Sequence, residues 1–423
     1  MPDFQIQFEW EASPRDRAPE LDATWARLEI RAGSEAITKV EVQRTQSVRE
    51  GIYVPLFPIA EWAVANWWFL WEEWRAPESD PRHSLLEARE GFPLPNLTLR
   101  PTETRMELRW KWSTALASGL IFLSDGSRVV DKIAVKEEFR RLVDAVVQRL
   151  ADRGAGEPDL VEEWRAIQEA ERDPEQLEFC RQAARLGCNP FAIEQGVADE
   201  LERLGRVLPD AMIGDFCNAV APHEMAKGAA EIAAFLRESS NSAPAAGRWV
   251  EMRDRLWSVG KDVPWRDGYR EARELRREMR AEGPFNGDLK GRLAETLGSF
   301  EVREIAVPSR VDGIAASGET AAPVFGFAPR EREEQRRFTL CRALADALVS
   351  GQPWLVTRGR SEHQQRNRAF AAEFLAPAES IRERITADSV GEEDIEDLAH
   401  EFRVSDLVIR HQIQNHNLAS LSA

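Results

Sequence analysis

The chain opens on strict alternation. Phe4, Ile6, Phe8 and Trp10 are separated by Gln5, Gln7 and Glu9, the period-2 pattern of a half-buried strand. Met106, Leu108, Trp110 and Trp112 repeat it against Glu107, Arg109 and Lys111, and Ala26, Leu28 and Ile30 repeat it more weakly. Residues 120–123 are apolar, Ser124-Asp-Gly-Ser127 is turn-forming, and Val129-Val130 follow, which predicts a hairpin with an Asp-Gly turn. The period then becomes helical over 60–74 and 136–150, the second with Phe139, Leu142, Val143, Val146 and Leu150 on one face. Arg153-Gly-Ala-Gly-Glu-Pro158 carries the glycines and proline of a linker, so 1–153 is expected to form a β-rich domain.

From 159 to 245 helical periodicity prevails. Asp173-Pro174 and Asn189-Pro190 supply cap and first-turn residues, and Gly187 and Gly205 fall where C-terminal caps belong. Residues 238–247 are small and polar, a loop or hinge. The third region, 246–423, opens with helices over 269–279 and 289–297. Strand candidates follow at 300–307 and 323–327, with a Gly-, Ala- and Ser-rich stretch at 312–322 expected as a loop. Helices over 333–349 and 370–375, the latter stopped by Pro377, precede two short helices around Arg403-Val-Ser405. The fold class expected is α+β: a β-rich N-terminal domain, a helical middle region and a C-terminal α+β domain.

Charge narrows the partners. The 56 basic and 73 acidic residues leave a net charge of −17, against nonspecific binding to nucleic acid or anionic lipid, which needs a positive field. The N-terminus lacks a basic stretch followed by an apolar one, so no secretory leader is expected. The tryptophan-rich segment 53–71 contains Pro55, Pro58, Glu61 and Asn66, unlike a membrane span. Cys180, Cys188, Cys217 and Cys341 form no C-x-x-C pair, as expected of reduced thiols in a cytoplasmic protein. Nine of the 14 tryptophans precede residue 113. Such density is foremost a tightly packed core; Trp67, Trp68 and Trp71 are also candidates for a partner-facing surface.

Two segments carry a family resemblance. Arg336-Arg-Phe-Thr-Leu-Cys-Arg-Ala-Leu-Ala-Asp-Ala-Leu-Val349 resembles the active-site helix of the ImmA/IrrE metallo-endopeptidases, and Phe370-Ala-Ala-Glu-Phe-Leu-Ala-Pro377 resembles their second signature, F-A-A-x-L-L-M-P. Residues 173–190 resemble, more faintly, a linker-plus-helix segment of long family members. The resemblance covers roughly the last 170 residues and implies a zincin-like domain. In the family, H-E-x-x-H follows the first word, because imidazoles at i and i+4 share a zinc ion and the glutamate between them activates water.

Here the ligand positions hold Arg342 and Asp346, and the base position holds Ala343. The family's acidic third ligand would fall in Gln364-Gln365-Arg366, of which Gln364 is the candidate position. Arginine offers only donors and alanine takes no proton. No metal or other cofactor is therefore expected, and an Arg342–Asp346 ion pair is expected to fill the ligand space. A rearranged site from Cys341, Asp346, Glu362 and His363 is the less favoured alternative. The resemblance thus implies an inactive regulatory relative, a pseudoenzyme with a protein partner, in a bacterial stress, mobile-element, toxin–antitoxin or phage-defence setting. Two alternatives remain: an active peptidase with an atypical metal site, and a DNA-binding regulator. The last would use Arg410 and His411 on the second helix of the C-terminal pair, whose apolar positions fit a helix-turn-helix core.

Overall fold

The computed structural model describes residues 3–14, 17–72, 80–115, 118–155, 158–239, 247–257, 263–285, 287–316, 322–329, 332–349, 352–385 and 388–422. It is a mixed α+β protein with strands concentrated early and helices later. It divides into two compact units, Met1–Glu194 and Gln195–Ala423. The expected middle region, 159–245, is therefore shared between them. No helix of the described residues is long and apolar enough to cross a membrane.

In the first unit the alternating segments form antiparallel sheets. Phe4–Trp10 pairs with Trp25–Ala32 from Phe4↔Ala32 to Trp10↔Ala26, which puts Phe4, Ile6, Leu28 and Ile30 in the core. Arg105–Lys111 lies between Asn96–Pro101 and Gly126–Asp131, with Met106, Leu108 and Trp110 buried. Trp112 lies beyond this strand and is 55% exposed, so the alternation there overran the strand by one step.

The expected Asp-Gly hairpin does not form. Leu120–Phe122 pairs with Val40–Val42 and Ser113–Ala115, whereas Gly126–Asp131 joins the strand that carries Trp110. Ser124 separates the two by accepting from Trp110 Nε1 at 2.7 Å and donating to Glu35. Gly126 leaves room for the Trp110 ring; an added Cβ would lie 2.7 Å from it.

Helix Lys132–Arg153 is longer than its expected core of 136–150. Asp131 accepts from Ala134 N at its start, and Gly154 at φ 62° ends it. The expected linker after it, whose residues 156–157 lie outside those described, connects helices of one unit. Trp164, Ile167 and Ala170 of helix Pro158–Arg172 belong to the same core as the strands. Gly187, at φ 86°, caps helix Pro174–Arg185 through Cys188 N to Ala183 O at 2.9 Å. Gly205 is not a cap but lies inside helix Gln195–Val207.

The expected helix 60–74 is two helices, Phe57–Ala65 and Trp67–Trp71, broken at Asn66, whose side chain donates to Trp62 O at 2.9 Å. Trp74 lies outside the described residues. Trp67, Trp68 and Trp71 are 0%, 5% and 3% exposed, so they do not offer a partner surface. Their rings face inward because Phe57–Ala65 packs against Lys132–Arg153 and Pro158–Arg172, and Trp67–Trp71 packs against Pro174–Arg185. Trp67 packs edge-on against Trp71 and Trp164 at 5.3 and 4.7 Å and donates to Glu171 at 3.0 Å.

The second unit is built on a four-stranded sheet in the order Glu301–Glu304, Val324–Phe327, Val311–Ala316, Trp354–Thr357. The first two strands are parallel, and Val311–Ala316 is antiparallel to both of its neighbours. Val311–Ala316 corrects the expected loop. Its small residues are what such close packing admits: a Cβ on Gly313 would lie 2.8 Å from Gly326 O. Residues 317–321 of that expected loop lie outside the described residues, as do 240–246 of the expected hinge.

Helix Glu333–Val349 packs on this sheet and is buried on nearly every side from Thr339 to Leu348. Glu362–Leu375 packs against it, and Pro264–Glu278 packs against Glu362–Leu375. That last crossing depends on Gly268, where a Cβ would collide with Arg366 O and lie 2.9 Å from Phe370 N. Because both obstacles are backbone, Gly268→Ala must spread the helices. The expected cost is about 1–3 kcal/mol, read as a lower denaturation midpoint of the second unit.

None of the four cysteines is in a disulfide. Burial pushes Cys180 and Cys341 up to about 12, and Cys217 is fully buried. Cys188 is half-buried. Native-state alkylation followed by mass spectrometry is therefore expected to mark Cys188 first and the other three only on denaturation.

Candidate functional site

Positions 342 and 346 share one face of helix Glu333–Val349, one turn apart, and are 4% and 0% exposed. Arg342 extends towards the sheet. Its Nη1 donates to Asp312 Oδ2 at 3.2 Å, and its Nη2 donates to Gln364 Oε1 at 2.7 Å and to Thr357 O. Burial pushes the guanidinium below its ordinary value, opposed by the charges of Asp312, Asp346 and Asp215.

Gln364 is fully buried and uses both ends of its amide. Its oxygen also accepts from Thr357 N at 3.1 Å, and its nitrogen donates to Asp215 Oδ2 at 2.7 Å and Leu355 O at 2.6 Å. Ser361, the N-cap of helix Glu362–Leu375, donates to Asp215 Oδ1 at 2.8 Å. The Arg342 and Gln364 positions are therefore in direct contact, which their separation in sequence does not reveal.

Asp346 faces the other helix. Its Oδ1 lies 2.8 Å from His363 Nε2 and 2.6 Å from Asn367 Nδ2. His363 is stacked on Trp354, with ring centroids 4.1 Å apart. The expected filling of the ligand space by an Arg342–Asp346 pair is thus replaced by a wider network. The hydrogen-bonded carboxylate of Arg342 is Asp312, and Asp346 is held by His363 and Asn367. Tertiary neighbours supply the hydrogen-bond partners of both buried groups here, whereas an i,i+4 pair on one helix adds little.

Ala343, the position at which the resemblance places a base, is fully buried. Cys341 is also fully buried and its thiol is stabilised in the neutral form, unsuited to joining a rearranged site. Among the described residues, no group of three or more His, Cys, Asp or Glu side chains is placed to hold a metal ion.

Arg342 and Asp312 of this network, with Arg358, line a cleft of about 1260 Å³. Arg266, Tyr269 and Arg273 from helix Pro264–Glu278 line one wall, with Arg368 from helix Glu362–Leu375. The C-terminal helix Asp406–Asn415 contributes Leu407, His411 and Asn415. His411 is exposed as well as cleft-lining, whereas Arg410 is half-buried and paired with Glu392.

The C-terminal pair, Glu392–Phe402 and Asp406–Asn415, is docked onto the unit. Arg403 at φ 54° makes the turn between the helices. Gln412 is fully buried and donates to Glu373 at 2.9 Å and Ala376 O at 2.8 Å, and Asn415 donates to the Tyr269 hydroxyl at 3.1 Å. Gln412 and Asn415 lie on the same helix as Arg410 and His411, the expected DNA contacts, and the fold spends both on internal bonds.

Sequence reasoning missed Asp312, Asp215, Thr357 and the cleft arginines. Asp312 sits in a stretch whose glycine and alanines read as loop, and Asp215 lies 149 residues from the glutamine it meets. The one usable signal was Val311 and Ile314 flanking Asp312-Gly313 as apolar strand positions. No protein-family model, curated protein or solved structure matches the chain.

Proposed function

We propose that this chain is a catalytically inactive, ImmA/IrrE-like regulatory protein of the bacterial cytoplasm, which binds a protein partner through its second unit. The setting the resemblance implies is stress response, mobile-element control, a toxin–antitoxin pair or phage defence. The observation that carries this reading is Arg342. A buried guanidinium bonded to Asp312, Gln364 and Thr357 O stands at the position of the first zinc ligand. A cation held by three acceptors repels a metal ion and supplies no lone pair to it. The residues present therefore do not fit zinc.

Three further features support the reading. The helices bearing the two signature words are packed neighbours beside one mixed sheet. Ala343 supplies no base. The large cleft persists beside the altered positions, as a binding role requires. The net charge of −17 and the internal bonds of Gln412 and Asn415 count against a nucleic-acid partner.

The test is metal content and proteolysis on the full chain. After exposure to zinc and gel filtration, elemental analysis is expected to find no stoichiometric metal, and chelators should change no cleavage of a generic protein substrate. One tightly bound equivalent, lost in Asp346→Ala or His363→Ala, would instead establish the atypical peptidase.

A further inference from the structure

We propose that the cleft of the second unit docks an extended acidic peptide segment, which names the partner chemistry and rests on the interaction role argued above. The described lining carries five arginines (Arg266, Arg273, Arg342, Arg358, Arg368) against two carboxylates, Asp312 and Glu334. The whole chain carries −17, so the cleft reverses the sign of its own molecule. A concave positive surface in a negative protein concentrates the field where an anionic ligand enters and repels one elsewhere.

The arginines are graded by depth. Arg342 at the floor is 4% exposed and its Nη groups are engaged. Arg358 and Arg273 have side chains 54% and 51% exposed, and each is bonded through Nε, to Asp312 at 3.4 Å and Glu373 at 2.8 Å. A guanidinium has five N–H donors, so the terminal nitrogens of both can still receive carboxylates. The neighbouring carboxylates hold these heads in place and lower the entropy cost of engaging a ligand.

The distribution of charge selects a peptide over a phosphate. Arg266 and Arg273 are seven residues apart on one helix, about 10 Å along its axis. Arg358 follows a strand and Arg368 lies on another helix, so the donors do not converge on one point. Acidic side chains on one face of an extended strand repeat about every 7 Å, a spacing that can meet several such donors in turn. A volume of about 1260 Å³ also exceeds the roughly 300–1,000 Å³ common for small-molecule sites. Trp265 and Leu407 on the lining are 39% and 59% exposed and offer apolar contact to side chains between the acids.

Fluorescence anisotropy on the full chain tests this, with a labelled peptide of repeating Asp-Glu-Leu, its Asn-Gln-Leu counterpart, and inorganic phosphate as competitor. The acidic peptide is expected to bind, to weaken with added salt, and to outbind the amide peptide by more than tenfold. Arg266→Gln and Arg358→Gln should each weaken it roughly three- to tenfold. Arg277→Gln, outside the cleft, should change nothing, and circular dichroism should show all three variants folded.

Equal binding of the two peptides overturns the proposal. So does loss in Arg277→Gln as great as in the cleft variants, which marks diffuse surface attraction. Displacement by phosphate at concentrations too low to act by screening assigns the cleft to a phosphate ligand instead. Because the probe is read without metal, a failure here leaves the inactive-peptidase reading standing, and bound zinc would sink that reading while the peptide measurement is still read by itself.

Discussion

Arg342→Ala is expected to lower the stability of the second unit by about 3–5 kcal/mol, the cost of breaking a buried ion pair from one side. The substitution removes the donor to Gln364 Oε1, Thr357 O and Asp312 Oδ2 together. Asp312 keeps Arg358 at 3.4 Å, but that arginine is half in solvent and compensates weakly. At about 2–4 °C per kcal/mol for a unit of this size, calorimetry should find its transition lowered by about 10 °C. Arg342→Lys should recover only part, because one ammonium cannot reproduce the planar fork that reaches three acceptors. An unchanged transition in Arg342→Ala would show that the network contributes nothing to stability. Position 342 would then be filled space rather than a structural tie.

Trp67→Ala is the second large effect, and it acts on the first unit. The ring is fully buried between Trp71 and Trp164, and its Nε1 donates to Glu171. Truncation leaves a cavity of indole size that two rigid neighbours cannot close, at about 3–5 kcal/mol. It also removes one donor from Glu171, whose carboxylate retains Lys136 and Arg140. The first unit's transition should fall by about 10 °C, while acidic-peptide binding by the second unit stays as it was. Loss of binding without loss of stability would make the tryptophans an interaction surface after all.

How far each element was legible follows from how local its cause is. Helix Leu289–Leu297 and helix Glu333–Val349 matched their expected limits, because periodicity and a terminal glycine or acidic first turn are properties of neighbours in sequence. The strands Phe4–Trp10 and Arg105–Lys111 followed their alternation for the same reason. The Ser124-Asp-Gly-Ser127 hairpin failed because its turn residues are shared by strands that separate into different sheets. Val311–Ala316 was missed because a central strand flanked by close neighbours needs small residues, and small residues read as loop. Trp354–Thr357 is four residues long and carries too little periodicity to be seen.

The candidate site divides in the same way. By itself the sequence determined that positions 342 and 346 share a helix face and that none of positions 342, 343 and 346 is a histidine or glutamate. One-dimensional spacing and side-chain chemistry suffice for that. Only the tertiary structure decided what those residues bond to. Asp312, Asp215 and Gln364 come from a strand and two helices far apart in the chain, and folding brings them together because buried polar groups must be hydrogen-bonded. The charge of the cleft was likewise invisible, since arginines distributed along an acidic chain form a positive surface only when folding brings them to one concave wall.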